Sequence, residues 1–215
     1  MTLKYLAAAG AVAVLAALPA SAAIITIDFE GVGDGQQVGN FYNGGAGTNY
    51  GIGFSPGSLG IVDSDAGGGG NIGNEPSPST VLYFLDSTSA IMNVAAGFNI
   101  GFSFFYTSVS FAGSVNVYDA LNGTGNLLGS LNLAALGAGP GDPNGTFSNW
   151  AAIGVLFAGT AKSVDFGGVA NQIAFDNITL GTDKPGTSPV PIPATLPLLA
   201  GALGLIGLLR RRKTH

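Results

Sequence analysis

Between residues 24 and 180 glycine recurs too often for apolar residues to keep a three-four spacing over several helical turns, and the whole chain holds 36 glycines in 215 residues. Glycine in a helix interior costs about 1 kcal/mol relative to alanine, so a segment punctuated this way favours turns and short extended runs. The runs that remain are rich in Val, Ile, Phe and Thr. They are "IITIDF" (24–29), "GIGFS" (51–55), "TVLYFL" (80–85), "AAGFNIGFSFFY" (95–106), "SVNVYD" (114–119), "NLLGSLNL" (126–133), "WAAIGVLFA" (150–158), "KSVDF" (162–166) and "QIAFDNITL" (172–180). In "SVNVYD", Val115 and Val117 alternate with Asn116 and Tyr118, the two-residue period of a half-buried strand. Short strands separated by turn signals predict an all-β fold, a jelly-roll-like β-sandwich in one domain. "NGTGN" (122–126) predicts a hairpin, and the polar stretches 63–79 and 136–146 predict long mobile loops at the ends of the sandwich.

The two ends of the chain read differently from the body. "MTLKYLAAAGAVAVLAALPASAA" has Lys4, an uncharged run and then Ala20, Ser21 and Ala22, the three parts of a secretory signal with cleavage after Ala22. At the other end residues 192–209 offer 18 positions free of charge. At helical rise that is about 27 Å, enough to span a bilayer core. Arg210, Arg211, Arg212 and Lys213 follow at once and would stay in the cytoplasm, leaving the body outside. The organisation expected is a signal peptide at 1–22, a β-sandwich at 23–182, a linker at 183–189 and a sorting region with a transmembrane helix at 190–213.

Charge and composition remove several functions. Between the two targeting segments stand two lysines, Lys162 and Lys184, against twelve acidic residues, a formal charge of −10. Such a surface cannot neutralise a row of phosphates, so nucleic acid is excluded as a partner. The chain has no cysteine and its one histidine is His215, at the extreme end, so thiolate chemistry, a Ser-His-Asp triad and His- or Cys-ligated metal have no source. "GVGDGQ" lacks the third glycine of a dinucleotide loop, and no Gly-Lys-Ser/Thr occurs. A carboxylate-based glycosidase would have to use the two glutamates Glu30 and Glu75 or one of the aspartates. The expectation is a non-enzyme.

Oxygen-rich side chains leave one metal to consider, a structural Ca2+. Asp28 and Glu30 stand two apart in the first run, and Asp176 lies in the last. A sandwich that pairs its first and last strands would bring the three together. Asp63 and Asp65 in "DSDAGGGG" match only the opening positions of a calcium loop. For sugar binding, Tyr42, Tyr50, Tyr83 and Tyr106 are the candidate aromatic platform, with core positions as the alternative for each.

The C-terminal layout of linker, proline motif, apolar helix and arginine cluster resembles the PEP-CTERM sorting signal, specifically its VPLPA-CTERM variant. Val190, Pro191, Pro193 and Ala194 match the motif, and Ile192 stands in place of its leucine. The resemblance covers residues 189–213. It implies recognition by an exosortase, transit through the inner membrane of a Gram-negative bacterium, and display at the cell surface or in an extracellular matrix. "GTAKSVDFGGVANQIAFDNITLG" (159–181) also looks like the closing strands of exported domains of this kind, with jelly-roll or carbohydrate-binding-module-like folds. The function expected is therefore structural or adhesive, with extracellular polysaccharide as the candidate ligand. The alternatives are a carbohydrate-active enzyme and a matrix protein without a ligand.

Overall fold

The computed structural model describes residues 24–140 and 145–186. The cleavage positions Ala20 and Ala22, the motif Val190, Pro191, Pro193 and Ala194, and the cations Arg210, Arg211, Arg212 and Lys213 lie outside the described residues. Those residues form nine strands and no helix: β1 (Ile25–Ile27), β2 (Ile52–Phe54), β3 (Leu59–Val62), β4 (Thr80–Tyr83), β5 (Ser89–Ser108), β6 (Gly113–Tyr118), β7 (Leu127–Leu133), β8 (Ala151–Gly167) and β9 (Ile173–Leu180). The sequence runs 150–158 and 162–166 are one strand, β8, and the run 95–106 extends back to Ser89 in β5. β3 has no counterpart among the runs read from sequence, because Gly60 interrupts its short apolar pattern.

The strands form one hydrogen-bonded sheet in the order β3-β4-β9-β5-β8-β6-β7, with β1 on β9 and β2 on β5. It becomes a sandwich because β5 and β8 turn a corner together. Residues 89–93 of β5 pair with 163–167 of β8, and residues 100–106 pair with 151–157, with register shifts between the two stretches. Gly97 (φ +77°) and Gly159 (φ +94°) supply the left-handed backbone at the bend. The first layer is then β2-β5-β8-β6-β7 and the second β3-β4-β9-β5-β8. Phenylalanines close the space between them. Phe166 of the first layer meets Phe102, Phe104 and Phe175 of the second edge-to-face at 5.9, 5.9 and 5.0 Å. All four rings are fully buried. Each stabilises the fold by about 2–3 kcal/mol through apolar burial alone.

The outer face of the second layer is also covered. Ile72, from the 63–79 segment, packs with Val81, Tyr83 and Ala174, and Trp150 lies against the same cluster. Trp150 Nε1 donates to the Gly73 carbonyl at 3.0 Å. This segment, expected as a mobile polar loop, is therefore a lid on the sheet, with Ile72 and Ser77 buried. After β9 the chain crosses the same face as a strap. Gly181 N donates to Gly101 O at 2.9 Å, and Ser103 Oγ donates to Thr182 O at 3.0 Å. A Cβ on Gly101 or Gly154 would collide with the backbone at Thr182 and Asp183, so both glycines make room for the strap.

The first layer keeps an open polar outer face, crossed by the row Ile91, Asp165, Asn116 and Ser130 from four adjacent strands. The Asn-Gly turn forms as the sequence predicts, with Asn122 at φ 61° and Gly123 at φ 66° between β6 and β7. It folds onto this face, where Asn122 N donates to Asn93 Oδ1 at 2.7 Å and Gly123 N to Ser163 Oγ at 2.9 Å.

Candidate functional site

β1 pairs antiparallel with β9, Ile27 opposite Ile178, so the first and last strands meet as the sequence suggests. The strand stops at Ile27, however, and Phe29 turns the chain with φ 61°. A bulky residue in the left-handed region costs on the order of 1–3 kcal/mol. Burial of its ring against Tyr42 (6.2 Å) and Phe54 (5.8 Å) opposes that strain. Asp28 and Glu30 consequently do not share a strand face. Asp28 is exposed, whereas Glu30 is half-buried beneath the 74–80 segment.

Asp176 is delivered by a bulge. β9 places Asp176 opposite Phe105 and Thr179 opposite Ser103, leaving an extra residue in β9, and Asn177 there takes φ 47°. Phe175 points into the sandwich, so Asp176 points outward under the lid, with no solvent exposure. Ser77 joins the two acids. Its N–H donates to Asp176 Oδ2 at 2.7 Å, and its hydroxyl lies 2.9 Å from Asp176 Oδ1 and 3.3 Å from Glu30 Oε1. Asn177 N adds a bond to Asp176 Oδ1 at 2.6 Å. Glu30 Oε1 also accepts Ser79 N at 2.9 Å and Thr80 N at 2.7 Å, and Oε2 faces the Ser79 and Thr80 hydroxyls at 3.1 and 3.3 Å.

Burial pushes the Asp176 carboxyl up to about 7, against the Ser77 and Asn177 donors that pull it down, and the negative Glu30 adds to the rise. A protonated Asp176 can donate to Ser77 Oγ, which then turns its own hydrogen to Glu30. The pair can thus share a proton at the place where the sequence suggested a calcium ion.

The donor set does not fit that ion. Most lone pairs of Glu30 and Asp176 face an N–H or O–H, and among the described residues the Asp28 carboxylate accepts the Glu30 N–H at 3.3 Å while its carbonyl faces Ser77 Oγ at 3.1 Å. No set of three His, Cys, Asp or Glu side chains among the described residues is arranged to hold a metal. The glycine loop is closed by an acid that the sequence pattern did not single out: Asp34 accepts Val62 N at 3.0 Å and Gly69 N at 3.1 Å. Asp63 is buried and accepts Ser64 N at 2.6 Å, while Asp65 is exposed. Asp63, Asp65, Asn74 and Glu75 border a shallow depression of about 610 Å³, open solvent included.

Beside the Ser77 junction opens a cleft of about 780 Å³, open solvent included, lined by Thr26, Asp28, Glu30, Phe41, Thr48 and Tyr50 among others. Of the four tyrosines proposed as a platform, Tyr42, Tyr83 and Tyr106 are buried, and only Tyr50, 38 % exposed, presents a ring to solvent. It stacks on Tyr42 at 6.2 Å with 23° between the planes. Burial, and then the charge of Asp28, drive the Tyr42 hydroxyl well above the ordinary tyrosine range, so it stays neutral. Tyr50 also borders a second open cleft of about 860 Å³, shared with Ile25, Val94 and Phe98. Neither Phe41 nor Thr48 carries a motif. Only the serine- and proline-rich "PSPST" (76–80), a dense run of short donors, hints at the Ser77 junction.

No family model and no curated protein matches the chain. Among solved structures, a carbohydrate-binding module from Cellvibrio mixtus lichenase 5A, in complex with cellotriose, overlaps 59 % of this chain and 88 % of its own at 16 % identity and a TM-score of 0.37. The K1 cleaved adhesin domain of Lys-gingipain from Porphyromonas gingivalis overlaps 76 % of this chain and 91 % of its own at 16 % identity and a TM-score of 0.36. At these scores the likeness fixes neither a strand-by-strand equivalence nor a ligand.

Asp176 makes stability depend on pH in a defined direction. Its folded value lies above the ordinary 3.8. Its contribution is therefore fully present below about pH 4 and lost as pH rises through about 7. Asn at this position imitates the neutral acid, so the melting temperature of Asp176→Asn minus that of the wild type should grow more positive from pH 5 to pH 8. Calorimetric melts across this range check the slope, and a difference that stays flat or falls with pH would refute the assignment.

Proposed function

We propose that the chain is an exported, surface-sorted β-sandwich of jelly-roll type, adhesive or structural in function, with a neutral polysaccharide bound across Tyr50. The observation that carries this reading is the position of Tyr50, a half-exposed ring at the junction of two open clefts, backed by Tyr42 and flanked by Asp28, Thr26 and Thr48. An aromatic face accepts the C–H face of a sugar ring while carboxylate and hydroxyl oxygens accept its O–H groups. Clefts on both sides of one ring suit a polymer longer than a single sugar. An anionic polymer would meet the repulsion of twelve acids.

The reading is a binding one rather than hydrolytic. A carboxylate pair for glycoside hydrolysis needs one acid free to give a proton and another free to attack or activate water. Glu30 is engaged by the Ser77, Ser79 and Thr80 donors, which leaves Asp28 without a partner acid in the cleft. For export and sorting the support is the ordered C-terminal layout, in which the strap ends at the linker that leads to Val190, Pro191, Pro193 and Ala194.

Two experiments test the two halves of the reading. The full chain, solubilised in detergent, is titrated with panels of neutral and anionic polysaccharides. Binding is expected to the neutral set, weakened about tenfold in Tyr50→Ala, the loss of one aromatic stack. Equal binding by Tyr50→Ala, or none by the wild type, removes the glycan reading. For sorting, mass spectrometry of the surface-displayed protein is expected to find a C-terminus near the proline motif, and Pro191→Ala with Pro193→Ala to retain the tail in the inner membrane. Wild-type protein at the surface still ending at His215 would refute the processing.

A further inference from the structure

The two ends of the second layer are finished in opposite ways. At the β3 edge the backbone is fully occupied: Gly60 N donates to Gln36 O at 2.9 Å, Gly35 N to Gly60 O at 2.9 Å and Gly70 N to Val62 O at 2.9 Å, while Asp34 takes Val62 N. The free side of β2 is closed in the same manner, with Phe54 N on Gly39 O at 2.8 Å and Ile52 N on Tyr42 O at 3.2 Å. Among the described residues the β8 edge has no such finish. Residues 151–157 pair with β5 alone, and β6 joins β8 only at residues 163–167. β7 packs inward against Val155 through Gly129 and shows no pairing with β8 among the described residues.

This bare edge also lacks the devices that keep soluble strands apart. Residues 151–161 read "AAIGVLFAGTA", with no charge and no proline. Ala152, Leu156 and Ala158 are exposed, Leu156 by 60 %. Residues 87–118, which include the neighbouring strand β5, hold no charged residue at all. Four acids, Asp34, Asp63, Asp65 and Glu75, border the β3 side, three strands away across β4, β9 and β5, while the strap sets Asp183 over Gly154 on the outer face. An uncharged strand edge about 24 Å long offers an unpaired row of N–H and C=O groups to another strand.

We propose that residues 151–157 of β8 pair edge to edge, antiparallel, with the same residues of a second copy, extending the second layer across a two-fold axis. A second copy satisfies the edge in a way that other partners do not. Under a two-fold operation each unpaired N–H and C=O row meets its own complement in the other copy, and the inward-facing residues Ile153, Val155 and Phe157 of one copy lie against the same set in the other. The same operation puts the acid-capped β3 edges at the two far ends of the joined sheet, where the charge of each body opposes association least. The linker of this chain is a poorer occupant, because prolines at 185, 189, 191 and 193 remove ladder donors. Pairing through residues 151–157 stops short of Thr160, which lines a cleft together with Tyr50 beyond the bend.

The chain contains no cysteine, so single cysteines report proximity without background. Cysteines placed one at a time at positions 152 to 158 of the full chain are expected to give oxidised dimers, with yield peaking at one position and falling on both sides. Cysteine at Val62 on the β3 edge is expected to give none. Sedimentation equilibrium in density-matched detergent is expected to show a dimer that Leu156→Lys with Ala158→Lys weakens about tenfold or more, with an unchanged circular-dichroism melt below the dimer range. Both side chains are solvent-exposed, so the pair leaves the core intact. A wild-type chain that stays monomeric up to 100 μM (roughly the −5 kcal/mol range), a dimer that survives the lysines, or cross-linking as strong at Val62 would each overturn the proposal. The first outcome leaves this edge to an intramolecular cover, and the second assigns dimerisation to another surface.

Discussion

Two carboxylates, Glu30 and Asp176, are withdrawn from solvent on the outer face of the sheet, and the arrangement around them depends on neutralising them without a cation. A buried carboxylate is tolerated only when hydrogen bonds replace its water or when it takes up a proton. Both happen here. Ser77, Ser79 and Thr80 present three backbone N–H groups and three hydroxyls, and the raised affinity of Asp176 for a proton spreads one negative charge over the pair. Because the donors come from the 74–80 segment and the acids from the chain after β1 and from β9, the junction ties together pieces 47 to 99 residues apart in sequence. It converts a proline- and serine-rich loop into a lid that seats Ile72 on the sheet beside Trp150.

That lid and the C-terminal strap explain why the second layer carries apolar residues on both faces. A sheet with one wet face shows a clean alternation of apolar and polar residues, whereas β9 reads "IAFDNITL" with seven of eight positions buried. The first layer does keep a wet face, and there the alternation is visible in β6 and β7. The two edges thus differ: a β3 edge with acids and a fully hydrogen-bonded backbone, and a β8 edge whose residues 151–157 carry no charge.

The all-β class, most strand positions and the Asn-Gly hairpin were legible in the sequence because they rest on local chemistry, the two-residue period and the left-handed backbone of Asn122 and Gly123. β3 was not, since four residues interrupted by Gly60 carry no period. The merging of two runs into β8 was hidden as well: Gly159 signals a break in sequence, yet in the fold it supplies the bend. The meeting of Asp28, Glu30 and Asp176 was half legible. Pairing of first and last strands could be guessed, but the reversal at Phe29 and the bulge at Asn177 could not, because each depends on packing partners far along the chain. Those two kinks turn Asp28 to solvent and the other acids toward Ser77. The tyrosine platform narrowed for a similar reason, as aromatic type alone does not distinguish Tyr50 from the buried Tyr42, Tyr83 and Tyr106.

The central claim is that a shared proton and serine donors, in place of a metal ion, satisfy the buried acids. A carbon-13 NMR titration of the Asp176 side-chain carboxyl, run with and without millimolar calcium, addresses it directly. The account requires a titration near pH 7 that calcium leaves unmoved. A carboxyl that titrates near 4, or one whose midpoint falls when calcium is added, would contradict it and return the site to a cation.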